Sequence, residues 1–115
     1  MKPSALSTHV LDTANGIPAA GMALELWRME PEPALLARTV TNADGRTDAP
    51  LLTPESFRPG RYELRFDVGA YFAARGEDPG YLGTVTLNVG LKAEAGHYHV
   101  PLLCSPWSYS TYRGS

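Results

Sequence analysis

The chain has only one cysteine, Cys104, in 115 residues. No internal disulfide is available, so the fold does not depend on an oxidising compartment. It also lacks an excess of either charge: ten basic residues stand against twelve acidic ones, interspersed, for a net charge of -2. Such a balance offers no electrostatic footprint for nucleic acid or an anionic membrane, and it points to a small molecule or another protein as partner. No apolar run approaches the roughly 20 residues of a membrane-spanning helix. The opening MKPSALSTHV carries one lysine and no apolar stretch of the secretory type. The closing Arg113-Gly114-Ser115 is not a peroxisomal address. The expectation is a cytoplasmic protein. Internal repeats and low-complexity segments are missing too. With 43% apolar and 19% charged residues, the composition is that of a globular chain, and the length suits one domain, residues 1–115, with a real core.

What the sequence does have is punctuation. Eleven glycines and ten prolines run through the whole length, between short segments whose apolar residues recur every second position. That is an all-β signature. SALSTHVLDT reads as a first strand ended at Asn15-Gly16, and MALELWRM sets Met22, Leu24 and Leu26 against Ala23, Glu25 and Trp27. LLARTVT is followed by the tight turn NADG, where Gly45 supplies a positive-φ position. In RYELRFDV, Tyr62, Leu64, Phe66 and Val68 fall on one face and Arg61, Glu63, Arg65 and Asp67 on the other, the pattern of a half-buried antiparallel strand. AYFAARG is the one plausible short helix, stopped by Gly76. TVTLNVG, HYHVPLLC and WSYSTYR complete seven or eight strands. Their natural closure is an antiparallel two-sheet sandwich. Pro101 conflicts with a central strand, because proline cannot donate to a ladder. If its strand is central, the pairing there must break locally.

Chemistry is concentrated at the chain end, HYHVPLLCSPWSYSTYRGS, where most chains fray. His97 and His99 are two apart and point to the same face of their strand. Tyr109, Thr111 and Arg113 share one face of the last strand; Ser108, Ser110, Tyr112 and Gly114 share the other. A hairpin of these two strands would gather imidazole, phenol and hydroxyl groups on one sheet face. His9 lies mid-strand beside Val10 and Leu11. Three readings of the histidines stand side by side. They are surface or satisfied core residues; or three imidazoles hold zinc with one open position; or they perform metal-free acid–base chemistry, since neutral imidazole takes a proton from water near neutral pH. Arg46, just past Asp44-Gly45, presents a rigid fork suited to planar acceptors, or is simply a solvated turn residue. Cys104 has no basic sequence neighbour and reads as a buried inert thiol. Ser105, Ser108 and Ser110 lack the setting of a hydrolase nucleophile.

Taken together, these stretches resemble a known family. HYHVPLLCSPWSYSTYRGS is similar to the C-terminal signature of the transthyretin-like 5-hydroxyisourate hydrolases, STHVLDTANGIPAAG to their N-terminal signature, and TNADGRTD to their arginine-bearing turn. The resemblance runs from about Leu6 to Ser115. Tyr112-Arg113-Gly114-Ser115 is its most specific piece, an ending that hormone-carrying transthyretins do not share. The resemblance implies an eight-stranded β-sandwich with a short helix, assembled as a homotetramer of two dimers with sites at the dimer–dimer interface. It implies hydrolytic opening of 5-hydroxyisourate to 2-oxo-4-hydroxy-4-carboxy-5-ureidoimidazoline in urate degradation, with no cofactor and no metal. Matched motif by motif, it assigns catalysis to His9, Arg46, His99 and Ser115, and substrate binding to His9, Arg46 and Tyr112. His97 lies in the signature without a carried-over catalytic role. Cys104 stands where the family has leucine, a small apolar exchange, and Trp107 at a position that varies. A carrier of a small planar ligand, and a structural β-sandwich module, are the alternative functions.

Overall fold

A computed structural model describes residues 4–77, 80–93 and 96–114. The strands are β1 (Ala5–Asp12), β2 (Ile17–Pro18), β3 (Ala23–Arg28), β4 (Ala34–Val40), β5 (Gly60–Asp67), β6 (Thr84–Leu91), β7 (His97–Cys104) and β8 (Tyr109–Thr111), with one helix, α1 (Val68–Ala74), between β5 and β6. They form two four-stranded sheets, ordered β2-β1-β7-β8 and β4-β3-β5-β6. This is the sandwich expected from the period-two patterning. Its ladders are antiparallel with one exception: β1 lies parallel to β7, in register from Ala5↔His97 to Asp12↔Cys104. No hairpin links those two strands; they come from opposite ends of the chain, so the intervening length allows either direction.

The core follows from the alternation. Leu6 and Val10 of β1, Leu24 and Leu26 of β3, Leu64 and Phe66 of β5, and Leu102 of β7 are all at most 1% exposed. Each such side chain contributes about 1.5–3 kcal/mol on burial. Val68 is buried as its parity predicts, yet it opens the helix two residues before AYFAARG. The cause is Asp67, whose carboxylate accepts from the Ala70 N–H and caps the first turn. Asp12, also buried, accepts from the Asn15 backbone and side chain and from the Tyr71 hydroxyl at 2.8 Å, tying α1 to the end of β1.

Pro101 does sit in a central strand, and the ladder does break, on one side only. Pairing with β1 runs through His9↔Pro101 without interruption. On the other side β8 stops at Thr111, opposite Leu102, and the chain rejoins β7 at the single bridge His99↔Gly114. The Gly114 N–H donates to the His99 carbonyl at 2.7 Å, so this is a hydrogen-bonded pair. Antiparallel pairs alternate in type, which makes Pro101 opposite Tyr112 the next bonded pair, and proline has no N–H to give. The Thr111 hydroxyl instead donates to the Pro101 carbonyl at 2.6 Å.

Candidate active site

Thr8 and Val10 face the core, so strand alternation turns Ser7 and His9 to the outer face of the β2-β1-β7-β8 sheet. The parallel register sets Ser7 beside His99 and His9 beside Pro101. His97 and His99 therefore join Ser7 and His9 on that face. On the edge of β1 away from β7, β2 covers only Leu11 and Asp12; the rest is filled by residues 45–52, through the antiparallel bridges His9↔Arg46 and Leu6↔Leu52. Paired residues share a face, which adds Arg46 to the group.

The turn that delivers Arg46 is built by Asn42. Its side-chain oxygen accepts from the Asp44 and Arg46 N–H groups at 2.9 and 3.1 Å, and its carbonyl accepts from Gly45 at 2.9 Å. Gly45 has φ +77°, and a Cβ there would overlap the Val10 carbonyl oxygen. Only glycine permits so close a docking against β1. Arg46 emerges exposed at the rim.

Both half-buried imidazoles are oriented by a partner. His9 Nε2 lies 2.8 Å from the Asp44 carbonyl oxygen. A carbonyl only accepts, so Nε2 carries the hydrogen and the lone pair of neutral His9 is on Nδ1. His99 Nδ1 lies 2.8 Å from the Ser7 hydroxyl, which is also 2.8 Å from His97 Nε2. Burial, then the charges of Arg46, His9 and His97, hold the His99 pKa below the ordinary imidazole value. Neutral His99 is thus available to accept a proton at neutral pH.

The chain end is tied down as far as Gly114. Besides the Gly114–His99 hydrogen bond, the Arg113 guanidinium stacks 4.3 Å over the Tyr98 ring, a cation–π contact. Gly114 packs on the imidazole so tightly that an added Cβ would be 2.9 Å from His99 Cδ2. Tyr112 is 61% exposed and borders a different recess of about 270 Å³, lined also by Val89, Tyr98, Val100, Thr111 and Arg113. Ser115 lies outside the described residues. Cys104 is buried, with its thiol pushed up to about 12, first by burial and then by Asp12.

Of the residues expected from sequence, His9, Arg46 and His99 come together. Reading by motif missed Ser7 and the Asp44 carbonyl. Ser7 was within reach of the alternation rule, two residues before His9. The Asp44 contact was not, because it depends on how the turn docks. Among the described residues, no group of three or more His, Cys, Asp or Glu side chains is arranged to hold a metal ion. Also among them, no helix is long and apolar enough to cross a membrane.

The architecture defines a β-sandwich that carries a polar, imidazole-bearing site on the outer face of one sheet, at the junction of the first strand, an arginine turn and the last strands. The chain belongs to the HIUase/Transthyretin family, whose pattern matches residues 6–114. A Pseudomonas aeruginosa protein described as 5-hydroxyisourate hydrolase is 53% identical over 114 residues, 96% of this chain and 90% of that protein. The structure of Klebsiella pneumoniae 5-hydroxyisourate hydrolase is 36% identical, with a TM-score of 0.83 over 100% of this chain and 96% of that one. Sea bream transthyretin in complex with thyroxine is 30% identical, with a TM-score of 0.86 over 95% and 93%. One fold serves both an enzyme and a ligand-binding protein, so function must be argued from the site.

Proposed function

We propose that this chain, as one transthyretin-like domain over residues 1–115, opens the ring of 5-hydroxyisourate by hydrolysis to 2-oxo-4-hydroxy-4-carboxy-5-ureidoimidazoline, a step of urate breakdown. The observation that carries the reading is the convergence of His9, Arg46 and His99, from three separated stretches, on one sheet face with Gly114 of the terminal signature against His99. The naming of relatives such as the Pseudomonas protein over nearly the whole chain supports it.

The reaction adds water to a cyclic amide. Hydroxide bonds to the carbonyl carbon, the ring C–N bond breaks, and the leaving nitrogen takes a proton. In this reading His9 Nδ1 and His99 take the proton from water and return it to nitrogen; such transfer is typically worth about 10²–10⁴ in rate. Arg46 holds the flat, polar substrate by its edge and stabilises the developing oxyanion. Tyr112, two residues before Gly114 and so on the same strand face as the His99↔Gly114 bridge, donates a hydrogen bond to the substrate, and Ser115 positions the network.

The active form is a cytoplasmic homotetramer with sites between dimers. One copy alone provides, beside Ser7 and Arg46, an open recess of about 160 Å³, below the roughly 300–1,000 Å³ of ligand sites. A second copy across the face would close it and cover the exposed Tyr112.

The test is to generate 5-hydroxyisourate in situ with urate oxidase and follow its absorbance with and without the protein. Acceleration above spontaneous decay is expected, lost with His9→Asn or His99→Asn while the tetramer persists. No acceleration, or near-normal rates in both variants, overturns the reading. Inhibition by EDTA reversed by zinc would replace it with the metal chemistry.

A further inference from the structure

We propose that Ser7 and His97 are positioning residues for His99: the Ser7 hydroxyl, 2.8 Å from both His97 Nε2 and His99 Nδ1, joins the two rings into a proton path that sets the His99 tautomer and moves charge from the half-buried ring to the exposed one. Its part in turnover rests on the hydrolase reading above; the existence of the path does not.

The juxtaposition follows from register. Ser7 pairs with His99 and Ala5 with His97 in the parallel ladder, so Ser7 and both imidazoles share one face. A hydroxyl has a single proton. It donates to one ring while accepting from the other, so the two rings must play complementary roles. When His99 has its lone pair on Nε2, ready for water, Nδ1 carries hydrogen and donates to Ser7, and Ser7 donates to His97 Nε2. His97 then holds its own hydrogen on Nδ1.

Turnover shifts this arrangement. His99 Nε2 takes a proton from the attacking water. The His99 Nδ1–H bond breaks as Ser7 Oγ accepts that proton, and the Ser7 O–H proton passes to His97 Nε2. His99 is neutral again, now with hydrogen on Nε2, and His97 is the imidazolium. When the leaving nitrogen takes the Nε2 proton, the two relayed protons return and restore the starting tautomers. The gain is electrostatic. Among the described residues, the titratable and charged groups that bear on His99 are Arg46, His9 and His97, all of which disfavour a positive charge on it, as does burial. His97 is the more exposed of the two rings in a single copy, so that charge is better hydrated there than on His99.

The experiment uses the full-length protein labelled with ¹⁵N-histidine, together with the absorbance assay. In the wild type, His99 is expected to carry its hydrogen on Nδ1 when neutral, and the ¹⁵N signals of His97 and His99 to respond together through the Ser7 hydroxyl. Ser7→Ala should uncouple them and abolish that tautomer preference. In the assay it should lower kcat about tenfold or more with KM unchanged, and straighten a curved solvent-isotope proton inventory. Ser7→Thr should restore coupling and rate. His97→Gln, at an exposed position, should reproduce the kinetic loss. Wild-type rate, tautomer and pH profile in Ser7→Ala would overturn the proposal. So would a rate loss with tautomer and coupling intact, since that reports packing alone. If the wild type fails to accelerate isourate decay, the hydrolase reading falls, while the titration arm still decides whether the path exists.

Discussion

Gly114→Ala tests how tightly the terminal signature locates the His99 imidazole. The added Cβ would lie 2.9 Å from His99 Cδ2, 3.2 Å from its Cβ and 3.4 Å from its Cγ. Carbon atoms prefer about 3.5–4.0 Å, so the ring edge must withdraw by roughly 0.6–1 Å. Gly114 does not have a positive φ, so alanine adds no backbone strain and the effect passes through the His99 side chain. A displacement of about 1 Å at a reacting group costs about 10²-fold, equivalent to about 2.7 kcal/mol of barrier. The hydrogen bond from the Gly114 N–H to the His99 carbonyl survives the substitution, and the added methyl should cost about 1–3 kcal/mol of stability by overpacking. The assay is isourate decay at saturating substrate, paired with a urea unfolding curve. A variant that turns over at the wild-type rate would refute the claim that glycine is required to seat His99. A loss of rate explained by unfolding would refute the stated route.

Four further outcomes are expected. Because the His99 pKa is held below its usual 6.5 by burial and by Arg46, His9 and His97, the acid limb of kcat/KM should fall below pH 6.5. As pH drops, the unfolded chain takes that proton first, so His99 costs stability only below pH 6.5 and none above; a limb centred at or above 6.5 counts against this. Gly45→Ala puts a Cβ into the Val10 carbonyl at φ +77°, so it should cost about 1–3 kcal/mol in urea and raise KM by displacing Arg46. Tyr71→Phe removes a 2.8 Å hydrogen bond to buried Asp12, with an expected loss of about 1–3 kcal/mol at nearly unchanged turnover. Cys104, buried with its thiol pushed up to about 12, should resist a thiol reagent at pH 8 when folded and react in urea; rapid native labelling would contradict the burial.

Much of this was readable beforehand because a strand's side-chain period is a local property. Tyr62, Leu64, Phe66 and Val68 are buried on the face their alternation assigns, although Val68 belongs to the helix. The pairing of His97 with His99 on one face needed nothing but their spacing. The two-residue β2 and the early start of α1 were not readable: the first is too short for periodicity, and the second turns on a single side-chain cap at Asp67. Pro101 announced a break in its ladder. That the break falls on the β8 side alone follows from which pairs are hydrogen-bonded, a matter of register between strands.

Composition, turns and alternation were thus enough to specify an all-β chain and to say which side chains in each strand face out. They could not say which outward faces meet. The site depends on β1 lying parallel to β7, which sets Ser7 against His99 across a sequence separation of 92 residues, and on a turn docking along the free edge of β1 to bring Arg46 and the Asp44 carbonyl to His9. Those neighbours are chosen by closure of the whole core. Alternation is enforced by each residue's own backbone, whereas adjacency is a joint property of segments that touch only once the chain has folded.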